Sequence, residues 1–338
     1  MPPAPRRTDT IRLAPGYLQL AEIEIVSLSP EEVIRRAVAR IPENYGVDSL
    51  VLTAFVRSQK YLGGKLGEFT EAIIVDLKTG YRPYPRKKQR EKFTQSNMTK
   101  LLKGRVISDT SLVNAMGEIG RNAGCLGCNF TRDFAEFPFD TPLDEKMFKY
   151  YSYTLEELFA PGGGKIFRIK FDQKKGIRRT LWQGEMYISA ADYALLMINQ
   201  KPSYEAYGQY QRKRYKHSYV LYDRPGWFMD MPLMEWTVTY SSRNGAYYLS
   251  AIRAESWLTL ENPATGQKTK FSHKNEVVVT DATRDPETVK AFRGDKSTGV
   301  DQRWDQVAGE RDDRFWAGYN YVPVEERLKE SIKKMVNW

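Results

Sequence analysis

The apolar and polar positions of this chain change period several times, and each change marks an element. Val33, Ile34, Ala37, Val38 and Ile41 keep the i, i+4 rhythm of one helix face. Ahead of them, Ser29-Pro30-Glu31-Glu32 combines a serine cap, a proline in the first turn and a glutamate three residues after the cap. A helix is expected from Pro30 to Ile41, ended by Pro42, because the residue before a proline is pushed out of the helical region. Before it, Asp9 to Val26 alternates in two pieces, Ile11/Leu13 and Leu20 to Val26, broken by Pro15-Gly16, a strand, a turn and a strand.

After the helix the period becomes two. Leu50 to Arg57 and Glu71 to Leu77 are rich in β-branched and aromatic residues and are joined through Gly63-Gly64, which predicts a hairpin. Between 93 and 140 the pattern weakens to an irregular insert, with a helix inside Leu101 to Asn114. Strands are expected again near Tyr150, Lys165, Leu181, Tyr193, Tyr215, Glu235, Tyr247 and Phe271, most of them separated by turn signals such as Arg243-Asn244-Gly245. In the strand at Lys165, Phe167, Ile169 and Phe171 form one face, and Lys165, Arg168 and Lys170 are read as lying off it. Val324, Leu328 and Ile332 follow Pro323 at helical spacing, predicting a closing helix, Val324 to Met335. The predicted fold is mainly β: a curved antiparallel sheet, an open half-barrel of about eight to eleven strands, with the first helix on its concave face and the second at the end.

Composition narrows the class. The chain has 338 residues, 41% hydrophobic and 13% aromatic, enough to bury a core in one large or two medium domains. No apolar run approaches the roughly eighteen residues of a membrane-spanning helix. Met1 to Arg7 lacks the apolar core of a signal peptide, so the expectation is a mature or trimmed chain. The net charge of +10 is concentrated in Arg82–Lys92, Lys165–Arg179 and Arg212–Lys216. Clustered positive charge points either to an anionic partner or to a solvated edge that blunts strand aggregation.

Five segments carry a family resemblance. Leu28 to Tyr45 (LSPEEVIRRAVARIPENY) with Leu50 to Arg57 (LVLTAFVR), then Leu181 to Ile188 (LWQGEMYI), Val277 to Asp281 (VVVTD) and Arg314 to Glu326 (RFWAGYNYVPVEE), resemble Bacteroidota envelope proteins labelled carboxypeptidase-like regulatory domain proteins. The resemblance implies that 1–27 holds the last strands of a small non-catalytic β-sandwich, and that 28–338 is a half-barrel similar to those of periplasmic lipoprotein carriers. It also implies the periplasm or the periplasmic face of the outer membrane. The insert with Cys125 and Cys128 departs from that pattern.

The chemistry-bearing motifs are few. Gly124-Cys125-Leu126-Gly127-Cys128 is a C-x-x-C, open to a disulfide, buried thiols, redox work or a metal. A zinc site would need further ligands, and the only histidines, His217 and His273, are remote and sit among basic residues. No nucleophile elbow, phosphate loop or dinucleotide fingerprint occurs. No catalytic, cofactor or metal residues are therefore assigned.

The reading is a non-enzymatic envelope protein that scaffolds an outer-membrane assembly or binds a hydrophobic or lipid ligand. Its expected groove is Phe55, Ile74, Phe167, Ile169, Tyr187 and Trp236, facing the first helix. Its expected partner or anionic-membrane surface is Lys165, Arg168, Lys174, Lys175, Arg178 and Arg179, with the aromatic loop Trp227, Phe228 and Met229. An outer-membrane or periplasmic protein is the expected partner. The alternatives are a divergent metal-dependent envelope hydrolase and a nucleic-acid binder, the latter because Tyr204 to His217 interleaves aromatic and basic residues. An envelope location weighs against nucleic acid.

Overall fold

Residues 28–82, 98–115, 130–160, 163–177, 180–203, 219–220, 227–229, 233–262, 264–293, 312–318 and 331 are described in this computed structural model. The first helix, α1 (Pro30–Tyr45), begins as the sequence dictates, with Glu32 N donating to the Ser29 Oγ at 3.1 Å. It does not stop at Pro42. The proline sits in the last turn, and Gly46, at φ +77°, caps the helix by donating its N–H to the Pro42 carbonyl. The extra turn carries Tyr45 into the core, where its hydroxyl donates to the Leu195 carbonyl.

Among the described residues, twelve strands make one antiparallel, open, curved sheet: β1 (Leu50–Leu62), β2 (Lys65–Lys78), β3 (Met98–Ser108), β4 (Tyr151–Phe159), β5 (Lys165–Gln173), β6 (Trp182–Ser189), β7 (Leu195–Pro202), β8 (Tyr219–Val220), β9 (Phe228–Met229), β10 (Leu233–Arg243), β11 (Ala246–Asn262) and β12 (Gln267–Thr283). Ten of them form the path β3-β2-β1-β12-β11-β10-β7-β6-β5-β4, with β8 and β9 beside it. The chain lays down one edge, crosses to the other, and returns strand by strand until β12 pairs with β1. β3 was not expected. It is an edge strand, and its Lys100, Lys103, Gly104 and Arg105 obscure the alternation in the middle of the weakly patterned 93–140 stretch.

The two faces of the sheet are covered differently. On one lie α1 and 130–150: Val33, Ile34, Ala37, Ile41 and Tyr45 join Leu52, Val56, Ile74, Phe167, Ile169, Met186, Ile198, Val238 and Ile252 in the main core. Each fully buried aliphatic side chain there contributes about 1.5–3 kcal/mol. On the other face, α2 (Pro286–Arg293) packs Val289 and Phe292 on Val51 and Leu77, and α3 (Asp313–Gly318) packs Phe315 and Trp316 on Phe55 and Ile73. The closing helix expected at Val324–Met335 lies outside the described residues except Ser331, as do 1–27, Cys125 and Cys128.

Candidate functional site

Cross-strand register sorts the helix-covered face into rows. One row is apolar throughout: Ala72, Val56, Val277, Ile252, Val238, Ile198, Met186 and Ile169 stand side by side from β2 to β5. The next row away from α1 is polar: Thr70, Ser58, Asn275, Ala254, Trp236, Gln200 and Gly184. The row after that holds Glu68, Lys60, His273 and Ser256. Alternation along a strand fixes which residues share a face, and strand pairing fixes which of those are neighbours.

Ser58, Lys60, Glu68, Thr70, Gln200 and Asn275 of these rows are buried, and His273 and Ser256 are half-buried. Lys60 Nζ lies 2.7 Å from Glu68 Oε1, and Ser58 Oγ lies 2.8 Å from His273 Nε2. Desolvation, with the Lys60 charge beside it, pushes the His273 pKa down to about 4, so its ring is neutral near pH 7. Thr70 and Gln200 are each only 2% exposed, yet Thr70 Oγ1 and Gln200 Oε1 have no hydrogen-bond partner among the described residues. At the β10 end, Trp236 packs against Trp182 with ring centroids 5.1 Å apart, and the Arg132 guanidinium lies 3.9 Å from the Trp236 ring centroid.

A second buried cluster sits at the opposite end of the same face. Lys78 Nζ reaches Asp133 Oδ2 at 2.9 Å and Glu136 Oε2 at 2.5 Å. Tyr81 and Tyr240 donate their hydroxyls to the two oxygens of Asp133. Burial works against the Lys78 charge, but the Asp133 and Glu136 carboxylates outweigh it and hold its pKa above the ordinary lysine value. Asp76 accepts a bond from Thr99 Oγ1 at 2.6 Å, and its other oxygen is unpartnered. Burial raises its pKa to about 7 against the opposing pull of Lys78. This cluster ties 130–150 to the sheet; every member has a local partner, which makes it structural.

The expected groove is only partly assembled. Ile74, Phe167 and Ile169 lie on the helix-covered face within the closed core, and Trp236 lies on the same face in the polar row. Phe55 and Tyr187 lie on the other face. Phe55 packs under Trp316, and Tyr187, one residue from the inward Met186 and Ile188, donates to Glu185 Oε1. Adjacent positions on a strand face opposite sides of the sheet, so Phe55 and Tyr187 do not share a face with Ile74, Phe167, Ile169 and Trp236.

Two residues of the expected basic surface, Arg168 and Lys165, are paired within the sheet. Arg168 holds Glu185 Oε2 at 2.6 Å and Glu156 Oε2 at 3.3 Å. Lys165, two residues from Phe167, shares that residue's side of the strand rather than opposing it, and bonds Glu157. Lys174 and Lys175 are exposed. Trp227 is half-buried, and β9, which carries Phe228 and Met229, pairs with Glu261 and Leu260 of β11. Arg178, Arg179 and 204–217 lie outside the described residues.

The residues missed by sequence reasoning are Thr70, Ser58, His273, Gln200 and Arg132 as a group. Polar residues on otherwise apolar strands were the available signal. No group of metal-ligating side chains occurs among the described residues.

No family model matches the chain, and no curated protein matches it. The resemblance to the carboxypeptidase-like regulatory domain proteins therefore stands on its quoted motifs alone. Among solved structures, a DUF1329 family protein from Desulfovibrio piger aligns over 76% of this chain and 94% of its own, at 11% identity and a TM-score of 0.31.

Proposed function

We propose that this is a non-enzymatic envelope protein that holds a hydrophobic or amphiphilic ligand against the helix-covered face of its sheet. One observation carries the reading: the apolar row under α1 gives way to a mixed row in which the buried Thr70 Oγ1 and Gln200 Oε1 have no hydrogen-bond partner among the described residues. Buried polar groups are nearly always paired, and each one left unmade costs about 1–3 kcal/mol. A ligand with an apolar body and a polar end supplies the missing partners and gives the division of the face a purpose. The motif resemblance supports the envelope location, and an outer-membrane or periplasmic protein is the proposed partner.

The Ser58–His273 pair favours a second reading, hydrolysis, because a serine bonded to a histidine is the core of a nucleophilic site. A histidine titrating near 4 is a poor base at neutral pH, and its charged neighbour is Lys60, not a carboxylate that would steady an imidazolium. Purification from native envelopes, organic extraction and mass spectrometry test the first reading: a stoichiometric lipid or fatty acid is expected. Protein that carries no lipid and turns over an ester substrate in a Ser58-dependent way would replace it with the second.

A further inference from the structure

We infer that Arg132 anchors an anionic group, the carboxylate or phosphate end of an amphiphile, on the floor formed by Trp236. The inference rests on the ligand-binding reading above and names the chemistry of the ligand's polar end.

Arg132 closes a short 3-10 turn, Phe130–Arg132, whose Phe130 is locked in the core on the helix-covered face. Its guanidinium lies over the Trp236 indole, and among the described residues it has no hydrogen bond and no carboxylate partner. The acids nearest in sequence are already committed. Asp133 Oδ1 accepts from Tyr240 and from the Ala135 amide, Asp133 Oδ2 accepts from Tyr81 and meets Lys78, and Glu136 is held by Lys78. Desolvation pulls the Arg132 pKa down, but an arginine keeps its proton in proteins, so the positive charge stays. A largely buried, uncompensated charge is costly, and the planar fork of donors fits a carboxylate or phosphate bidentately.

The surroundings suit such a group. Gln200 pairs directly with Trp236 across the β7–β10 ladder, and an amide flip would put its Nε2 donor where the Oε1, unpartnered among the described residues, now lies. Two residues along the same strands, Val238, Ile198 and Met186 begin the apolar row that leads under α1. A headgroup on Arg132 thus sits one step from that apolar row, whose Val238, Ile198 and Met186 are fully buried.

The test uses the full chain and two fluorescent probes with the same chain and dye, 11-(dansylamino)undecanoic acid and its methyl ester, with inorganic phosphate as a third. The acid is expected to bind about 10- to 100-fold more tightly than the ester, the range of a charge-assisted contact. Arg132→Gln, checked for native melting, brings the acid down to the ester's affinity. The acid-to-ester ratio in the unmodified protein needs no variant and guards against a folding defect. Equal binding of acid and ester, or an acid preference that survives Arg132→Gln, overturns the anion site and leaves the hydrophobic-ligand reading standing. If neither probe binds but phosphate quenches tryptophan fluorescence in an Arg132-dependent way, the anchor serves a free anion and the lipid reading falls. If nothing binds, both fall.

Discussion

Arg57 and Glu71 face each other across the β1–β2 ladder, Nη2 2.7 Å from Oε1, with both side chains only 3% exposed. The other carboxylate oxygen of Glu71 is held by Arg105 of β3 at 2.6 Å, so one buried acid is clamped by two arginines. Phe55 and Phe69 lie beside the Arg57 guanidinium, and Trp316 beside that of Arg105. Removing one member of a buried ion pair leaves an uncompensated charge at a cost of about 3–5 kcal/mol. Glu71→Gln should therefore lower the urea midpoint by a corresponding amount with an unchanged slope. A loss under about 1 kcal/mol would mean that the clamp contributes little and that the aromatic cover holds this edge.

Asp76 and His273 bias the pH dependence of stability in opposite directions. Folded Asp76 keeps its proton up to about pH 7, whereas the unfolded carboxyl releases it near 3.8, so its contribution to stability falls as pH rises through that window. Folded His273 refuses a proton until about pH 4, whereas the unfolded ring takes one near 6.5, so its contribution falls as pH drops through nearly the same window. The two slopes oppose. Asp76→Asn should gain on the unmodified protein as pH rises from 4 to 7, and His273→Gln should gain on it as pH falls from 7 to 4, each by some 2–4 kcal/mol. Denaturant melts at four pH values measure both; parallel curves for either variant would show that its group titrates normally.

How much of this was readable beforehand depends on how local the signal is. Ser29 and Glu32 announced α1 because a cap and its bond lie within one turn, and Gly63-Gly64 announced the β1–β2 hairpin for the same reason. Pro42 misled, since a proline in the final turn lacks only its own N–H bond, and the burial of Tyr45 favours the extra turn. α2 has eight residues, too few to show a period, although Asp285, which accepts from Thr288 N at 2.8 Å, is a legible cap. The polar residues on apolar strands were visible, but that they form one row was not. Residues 70, 58, 275, 236 and 200 come into one row only through five strand registers, and register between distant strands is not written in any local pattern.

Gly80 ties the end of β2 to the loop after α1. It sits at φ +91°, and a Cβ there would lie 2.3 Å from the Val47 carbonyl oxygen. Tyr81 N and Arg82 Nε bond the same loop, at Gly46 O and Val47 O. Gly63, at φ +58°, has nothing within 4 Å of the equivalent position. Gly63→Ala should therefore cost only the conformational penalty, about 1 kcal/mol, and Gly80→Ala distinctly more, because backbone must also move. Equal melting temperatures for the two variants would contradict the close approach.

The basic strand edge separates into charges that serve the sheet and charges that face water, and the two should respond differently to reversal. Arg168 is shared between Glu185 and Glu156, and Lys170 also holds Glu156 at 2.7 Å. Lys174 and Lys175, in the turn after β5, are exposed. If this edge meets an anionic membrane, the exposed pair supplies the attraction, at about 1 kcal/mol per lysine near the surface. Lys174→Glu with Lys175→Glu should then weaken binding to phosphatidylglycerol vesicles by about 2 kcal/mol, or some 30-fold, at low salt, while thermal stability is retained. Arg168→Glu should instead lower the melting temperature, because it places three carboxylates together. Raising salt toward 0.5 M should erase the vesicle binding of the unmodified protein, since exposed charges are screened over a few ångströms there. Vesicle binding that survives both the double reversal and the salt would assign the contact to another surface and leave Lys174 and Lys175 as a solvated edge.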